Sequence, residues 1–450
     1  METLEKMNSA VNNLVWGPYM LCLLLGVGIF FSVKLRFFQI FKFRLWWKET
    51  VMSFFQSNSR SRTKEKISPF QAMSTALAGS IGTGNIVGVA NAVAMGGAGA
   101  VFWMWVASFF GMATIFAENV LGVKYRVKRN GKYVGGPMYY IEKGLKCKWL
   151  AVIFAVICTV AALGMGNMTQ ANSAAGALES CFGVPSWVSG IILAFATGFI
   201  ICGGIDRISK LTEKLIPFIS VVFIIAVISV LAMNFQKIPQ GFSEMLNGAF
   251  DLQCVSGGLM GYGMSTAIKY GISRGVFSNE AGLGSSPIVH SAADTDNAYR
   301  QGMWGVFQVF IDTTVLCTLM AFCILTTGSD KSGLDGIELS IHTFHSVFGV
   351  MGKIFVSVSI FVFAFATLVS WCYYGEKSLE YLSGNKFIQP YRILYAAFAF
   401  IGCIMNISLV WDISDTLNGL MAIPNLIAIV LLSGEVKYSG IKDLNADRKK

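Results

Sequence analysis

Eleven apolar stretches, each close to the length that crosses a lipid bilayer, follow one another along this chain. They lie at residues 14–33, 69–95, 99–122, 149–178, 187–204, 215–233, 257–287, 302–326, 353–373, 391–409 and 414–433. A spanning α-helix needs about 20 mainly apolar residues, because in lipid its backbone must satisfy its own hydrogen bonds. The pattern predicts an all-α polytopic membrane protein with eleven transmembrane helices.

Composition excludes several other classes of protein. Hydrophobic residues make up 54% of the chain and charged residues 13%, against about 25% charged residues in soluble domains. No cluster of nucleophile and base stands out, and two of the three histidines, His342 and His345, are expected in an outer loop, so an enzyme is disfavoured. The chain has no GxxxxGK[ST] motif, which argues against a primary pump. The net charge of +10 belongs to loops beside apolar flanks, so it indicates membrane orientation and no nucleic-acid partner.

Lysine and arginine cluster in alternate connections, namely 34–66, 123–148, 206–214, 374–392 and the tail after 434. The positive-inside rule places these connections in the cytoplasm. We therefore expect an external N-terminus (1–13), a transmembrane helix (14–33), a cytoplasmic basic segment (34–68), an external loop (234–256) and a cytoplasmic tail (434–450). Within the basic segment, Phe37–Phe55 mixes aromatic and basic residues, so either an amphipathic helix in the headgroup layer or a plain basic loop is expected.

The remaining spans form two sets of five, 69–233 and 257–433, and the two sets enter the membrane from opposite sides. Each set begins with a stretch rich in glycine and small polar residues. Paired interrupted helices at corresponding positions of an inverted repeat indicate the binding site of a secondary transporter. A channel, the alternative class, usually needs a symmetric filter or charged rings.

The first interrupted stretch contains AGSIGTGN at residues 78–85. Each glycine in a helix costs about 1 kcal/mol relative to alanine, and unwound backbone in a membrane is tolerated only beside protein or a cavity. A helix that starts after such a break presents free N–H groups, which suit a substrate carboxylate. The residues at that start are Gly82, Thr83, Gly84 and Asn85.

The helix that ends before the break exposes carbonyl groups from Ala76 to Gly79, which suit an ammonium group or Na⁺. Thr367 and Ser370 in the ninth span are three residues apart, so they share one helix face. Their hydroxyl groups are candidates to complete a Na⁺ site with the carbonyls of Ala78 and Gly79, because a hard cation prefers oxygen ligands. The alternative is that both hydroxyls bond back to their own helix.

Other polar or bulky residues within the spans also have two interpretations. Trp371 either walls an apolar pocket or packs in the core. Gln170 belongs to an amide-rich run, 164–172, which faces a cavity or bonds to neighbouring helices. Charged residues in spans are costly and usually functional, so a gate or ion path is one interpretation, and solvated helix ends the other. The charged residues are Lys269, Arg274 and Glu280, with Glu118 equally ambiguous.

Four long blocks resemble the alanine or glycine:cation symporter family, also called sodium:alanine symporters, and the similarity extends from about residue 14 to residue 435. The blocks are GTGNIVGVANAVAMGGAGAVFWMWV (82–106), GGPMYYIEKGL (135–145), GISRGVFSNEAGLGSSPIVHSAA (271–293) and FVFAFATLVSWCYYGE (361–376). The resemblance implies a LeuT-type five-plus-five fold preceded by one extra helix. It also implies sodium-coupled uptake of alanine or glycine, proton-coupled in some members, across a bacterial-type plasma membrane, with no cofactor beyond the coupling ion.

The resemblance also implies particular site residues. Sodium would be held by Thr367 and the backbone of the second span. This sequence departs from the family pattern at Ala366, where a polar residue is expected, and at Ser370, where glycine is usual, and both changes concern the ion ligands and the pocket volume. The substrate site would consist of Ser80, Thr83, Gly84, Asn85, Gln170 and Trp371, with Phe277 near it. Neither the sequence nor the resemblance indicates an oligomeric state.

Overall fold

A computed structural model describes residue 8 and residues 11–53, 67–129, 131–250 and 260–446. This part of the chain is almost entirely helical, with one antiparallel hairpin of β1 (Val127–Arg129) and β2 (Lys132–Val134). In chain order the α-helices are α1 (Pro18–Lys34), α2 (Phe38–Phe41), α3 (Phe43–Trp47), α4 (Pro69–Ser80), α5 (Val87–Gly96), α6 (Gly99–Lys124), α7 (Pro137–Gly144), α8 (Lys148–Leu163), α9 (Thr169–Phe182), α10 (Ser186–Ile201), α11 (Gly204–Met233), α12 (Ile238–Ala249), α13 (Met260–Asn279), α14 (Ser286–His290), α15 (Ala298–Val309), α16 (Thr318–Thr327), α17 (Gly336–Ser383), α18 (Ile388–Ile404), α19 (Ile407–Leu431) and α20 (Tyr438–Ala446).

Each of the eleven predicted apolar stretches overlaps at least one of these helices. By length and composition, seven helical stretches of the described residues are able to cross a membrane, or eight with the bent pair α4 and α5. Helices α10 and α18 are apolar but shorter. The all-α membrane architecture is therefore confirmed, while the count of eleven crossings and the predicted orientation stay predictions.

The first repeat begins with the predicted interruption. Ser68 and Gln71 form a capping box at the start of α4, where Pro69 occupies the first turn and lacks an N–H group that would otherwise stay unpaired. Helix α4 ends at Ser80, a single 3₁₀ turn covers Thr83–Asn85, and α5 follows at an angle of 57°. The glycine-rich sequence therefore unwinds as expected.

The second interruption lies near the end of the predicted stretch 257–287, at its last two glycines. Helix α13 continues unbroken to Asn279, and positive φ angles then follow at Glu280 (61°), Gly282 (92°) and Gly284 (79°) before α14. Within α13, a Cβ on Gly271 would lie 2.7 Å from Trp103 Cβ and also clash with the Ala100 carbonyl of α6. That glycine serves close helix packing, so the break falls at 280–285.

Three other features differ from the sequence expectations. Helix α11 begins at Gly204, so the basic residues expected in a connection at 206–214 lie on a helix. Helix α17 begins at Gly336, so His342 and His345 lie on a helical turn before a bend at Gly349 (φ 58°), and α17 continues beyond 373 to Ser383. Apolar windows miss these extensions because polar and charged residues interrupt their apolar ones.

The basic segment is helical where the structure describes it, through residue 53. Helices α2 and α3 lead into a π-helical turn, Lys48–Met52, and the buried Trp46 ring lies 5.5 Å from the Phe310 ring. Glu49 also pairs with Arg300 of α15 at 2.9 Å. This packing favours the helical interpretation over a plain loop.

Candidate functional site

The first break lies in the interior of the helical bundle, where it meets the end of α13, the side of α17, the start of α9 and the π-helical segment Phe310–Cys317. Every residue predicted for the substrate or sodium sites is buried. The set comprises Ala78, Gly79, Ser80, Gly82, Thr83, Gly84, Asn85, Gln170, Phe277, Thr367, Ser370 and Trp371.

Gln170 contacts the start of the 3₁₀ turn directly. Its Oε1 accepts hydrogen bonds from the Thr83 backbone N–H at 3.1 Å and from the Thr83 hydroxyl at 2.9 Å. Two other amides in the same run, Asn167 and Asn172, instead donate to backbone carbonyls of α18 and of Met405 just beyond it. The amides of this run therefore bond to neighbouring segments, and the cavity-facing interpretation stays a prediction.

Asn85 connects the first break to the eighth apolar stretch. Its Oδ1 accepts from the Gly82 N–H at 3.1 Å, and its Nδ2 lies 2.8 Å from Asp312 Oδ1. The other Asp312 oxygen accepts from the hydroxyls of Ser278, at 2.8 Å, and Thr313, at 2.7 Å. Asp312 is fully buried and was not among the predicted site residues, although an acidic residue inside an apolar stretch is itself a functional signal.

The proposed sodium ligands divide into two neighbouring contacts. The Thr367 hydroxyl donates to the Ala78 carbonyl at 2.8 Å, and it also lies 3.1 Å from the Phe363 carbonyl of its own helix. The Ser370 hydroxyl donates to the carbonyl of Thr75, one turn earlier in α4. Thr367 and Ala78 are thus brought together, whereas Ser370 contacts a carbonyl outside the predicted set.

Trp371 lies between the two breaks. Its indole nitrogen is 3.2 Å from the Gly79 carbonyl and 2.7 Å from Glu280 Oε1. The other Glu280 oxygen accepts from the Ser285 hydroxyl at 2.6 Å. A Cβ on Gly166 would collide with the Trp371 side chain, so this glycine allows α17 to closely approach the π-helical turn that contains it.

The three candidate gate residues lie at separate positions along α13 and the break that follows it. Lys269 is partly exposed in the middle of α13, 3.3 Å from Asn13 Oδ1, while Glu280 is buried at the break. Arg274 lies between them and pairs with Asp415 of α19 at 2.8 Å. They therefore do not form one cluster, and of the two basic side chains Arg274 is the one that forms an ion pair within the described residues.

Phe277 and Trp411 cover the break from the Arg274 side. Their rings stack with centroids 5.0 Å apart and an interplanar angle of 25°. The Arg274 guanidinium lies 5.0 Å from the Trp411 ring centroid, and a Cβ on Gly84 would lie 3.3 Å from Phe277 Cδ1. Phe277 therefore lies next to Gly84, in the backbone predicted to bind the substrate. Trp411 and Arg274 pack against it from the other side.

Glu118 belongs to a separate polar cluster beside the second break. Asn425 of α19 donates to Glu118 Oε1 and, at 2.9 Å, to the Gly282 carbonyl, while the Tyr140 hydroxyl donates to Asn425. These contacts fix the backbone that follows Glu280. Sequence reasoning singled out Glu118 but not its partners, because an amide and a tyrosine in apolar stretches carry little signal.

Comparisons with known proteins identify the family of the chain and its fold. The family model described as the sodium:alanine symporter family matches residues 1–450. The "Sodium/alanine symporter AgcS" of Methanococcus maripaludis is 46% identical over 450 residues, covering 98% of this chain and 97% of that protein. The "Probable sodium/glutamine symporter GlnT" of Bacillus subtilis is 37% identical, covering 100% and 92%.

Among solved structures, the crystal structure of MhsT in complex with L-phenylalanine aligns with a TM-score of 0.61 at 15% identity. The alignment covers 84% of this chain and 92% of that chain. At this identity the likeness concerns the fold alone, and it confirms the predicted LeuT-type architecture.

Proposed function

The chain belongs to the sodium:alanine symporter family, and from that premise we propose that the break between α4 and α5 binds alanine or glycine as a zwitterion. Membership makes the chain a multi-pass membrane transporter for sodium-coupled amino acid uptake, and not an enzyme. The proposal concerns the residues that bind, the inclusion of glycine as a substrate, and the position of the ions.

The substrate carboxylate binds at the 3₁₀ turn, Thr83–Asn85. The turn leads into α5, and the start of a helix carries partial positive charge, which here faces the break. Gln170 and the Asn85 side chain hold the turn in shape through their bonds to Thr83 and Gly82. The substrate ammonium group lies at the opposite side of the break, near the carbonyl end of α4.

Side chains from neighbouring helices pack closely against the glycines of the first break, which supports a small substrate. A Cβ would lie 2.8 Å from the Tyr374 hydroxyl at Gly79, 2.9 Å from Gln170 Oε1 at Gly82, and 3.3 Å from Phe277 at Gly84. Side chains therefore already fill the space beside these glycines. These contacts leave no room for a side chain at any of the three glycines, and this close packing is the observation from which we infer a small substrate.

Sodium binds at two places beside the substrate. One is the neutral oxygen cluster of Thr367 Oγ1 and the carbonyls of Ala78 and Ile81, which lie 2.8 Å and 3.4 Å from that hydroxyl. The other is the carboxylate of Asp312, since none of the described lysine or arginine side chains forms an ion pair with it. Burying a carboxylate without a positively charged partner costs free energy, and a bound cation would remove that cost.

Uptake by the full-length chain in proteoliposomes tests the proposal. We expect saturable uptake of radiolabelled alanine and glycine that requires an inward Na⁺ gradient, with alanine and glycine competing and propionate, which lacks the ammonium group, failing to compete. Glutamine is the size control, and we expect it to compete weakly. Uptake driven equally by a proton gradient without Na⁺, or uptake that never saturates, would exclude this mechanism.

A further inference from the structure

An apolar groove runs along the outer face of the bundle between α10 and α18. It encloses about 680 Å³. Its walls include three large side chains that are mostly exposed, Phe195 (78%), Phe199 (69%) and Ile393 (73%). None of the residues that line the groove belongs to the substrate or sodium sites described above.

The groove exists because the two helices diverge. Near the start of α10, a Cβ on Gly190 would lie 2.9 Å from the Phe400 ring, so the helices are in tight contact. One turn before the end of α10, a Cβ on Gly198 would meet only Ala396, at 3.8 Å. Small side chains at Ala194, Ala396 and Ala397 leave the space between the helices open.

Two arginines stand at the open end of this groove. Arg207 donates to the Phe199 carbonyl at 2.6 Å, and its guanidinium lies 4.8 Å from the Phe199 ring centroid. Arg392 pairs with Glu376 at 2.7 Å. Both side chains approach the turn before α11: a Cβ on Gly203 would lie 2.5 Å from Arg207 Nε, and one on Gly204 would lie 3.6 Å from Arg392 Nη2.

The local charge balance is positive. Glu376 offsets Arg392, and Asp206 pairs with Lys132 at 2.6 Å. Within the described part of the chain, the ion pairs give Arg207 no acidic partner. An apolar groove that ends at an arginine without a carboxylate matches a ligand with a hydrocarbon tail and an anionic head.

We propose that this groove binds one anionic phospholipid, with an acyl chain along Phe195, Phe199 and Ile393 and the headgroup phosphate on Arg207. The guanidinium fork is suited to phosphate oxygens, and basic pockets between transmembrane helices bind anionic headgroups. From residue 194 to residue 201 α10 rises about 10 Å, roughly a third of the apolar core of a bilayer. The groove is therefore long enough to hold the first part of an acyl chain.

Native mass spectrometry of the purified full-length chain tests the site. The protein is titrated with phosphatidylglycerol or phosphatidylcholine, and the fraction carrying one retained lipid is measured. We expect phosphatidylglycerol to bind at least about tenfold more tightly, since a difference of that size corresponds to one charge-assisted contact. Equal retention of both lipids by the wild-type chain would overturn the proposal.

Three variants separate this site from general lipid contact. Arg207→Gln is expected to abolish the preference for phosphatidylglycerol, and Ala397→Trp, which fills the groove from an exposed position, is expected to lower retention of both lipids. Lys148→Gln removes an exposed positive charge away from the groove and is expected to bind like wild type. If Lys148→Gln loses the preference and Arg207→Gln keeps it, the groove is not the site.

A thermal-shift measurement distinguishes the lipid from free phosphate. Phosphatidylglycerol is expected to raise the unfolding midpoint of wild type and Lys148→Gln but not of Ala397→Trp. Inorganic phosphate is expected to have no effect, because it cannot occupy the apolar part. Equal protection by inorganic phosphate would show that the arginines bind an anion without the groove.

Discussion

The Asn85 side chain donates to the Asp312 carboxylate at 2.8 Å, and through this bond the first broken helix contacts the π-helical turn Phe310–Cys317. Asp312 also accepts from Ser278 of α13, the helix that leads into the second break. One carboxylate thus contacts the start of one interrupted helix and the end of the other. A cation bound to this carboxylate would therefore lie beside residues of both five-helix repeats.

Replacing Asp312 with Asn should weaken sodium dependence while preserving much of the hydrogen bonding. The substitution removes the negative charge from a buried position, so we expect the Na⁺ concentration for half-maximal alanine uptake to rise at least about tenfold. Asp330→Asn, on the 3₁₀ turn after α16, is the matched control and should behave as wild type. An unchanged Na⁺ activation curve in Asp312→Asn would remove Asp312 from the ion site.

Truncation of Gln170 should weaken substrate binding. Gln170→Ala leaves the Thr83 N–H without its partner, and Asn85→Ala releases the Gly82 N–H, so each should lower the binding free energy of alanine by about 1–3 kcal/mol. Equilibrium binding of radiolabelled alanine measures the effect. The control is Asn172→Ala, in the same helix, whose amide bonds toward α18. This variant should have lower thermal stability but unchanged affinity for alanine. Unchanged affinity in Gln170→Ala and Asn85→Ala would argue against the proposed site.

The Thr367 hydroxyl can be removed without changing side-chain shape. Thr367→Val should shift the Na⁺ activation curve to higher concentration by about tenfold, because the Ala78 carbonyl loses its oxygen neighbour. Thr367→Ser retains the hydroxyl and should stay close to wild type. If valine and serine give the same curve, the hydroxyl has no role in sodium binding.

Adding one methyl group at Gly82 should stop transport. Its Cβ would lie 2.9 Å from Gln170 Oε1 and would also collide with the Thr367 hydroxyl, so the substrate and sodium contacts are disturbed together. Gly26→Ala in α1 is the control, because its Cβ would meet nothing within 4 Å. We expect Gly82→Ala to lose uptake by at least about a hundredfold with a normal amount of folded protein, and Gly26→Ala to lose none. Normal uptake by Gly82→Ala would show that the first break has room for an added methyl group.

The first break was predictable because its signal is local. Three glycines among small polar residues at 79–84 cannot form a stable lipid-facing helix. The second stretch was also expected to be interrupted, but its composition does not locate the break, because Gly271 carries the same signal for a different reason, its contact with Ala100 and Trp103. Sequence alone does not distinguish a glycine that unwinds a helix from one that lets two helices touch.

Asp312, Trp411 and Asp415 were missed for a related reason. A hydropathy window averages over about 20 residues, so one acidic side chain within an apolar stretch hardly changes its score. Their importance comes from partners far along the chain: Asn85 for Asp312, Phe277 for Trp411 and Arg274 for Asp415. Such pairings arise from the packing of the repeats, which no single segment encodes.

The Trp371 indole carries one hydrogen but has two acceptors within reach, the Gly79 carbonyl and Glu280. A motion that separates those acceptors must leave one of them without a donor, at a cost of about 1–3 kcal/mol where no solvent replaces it. The N–H group of Trp371 is therefore shared between Gly79 of the first five-helix set and Glu280 of the second. Any rearrangement that moves α4 away from Trp371 must first give up the bond to Gly79.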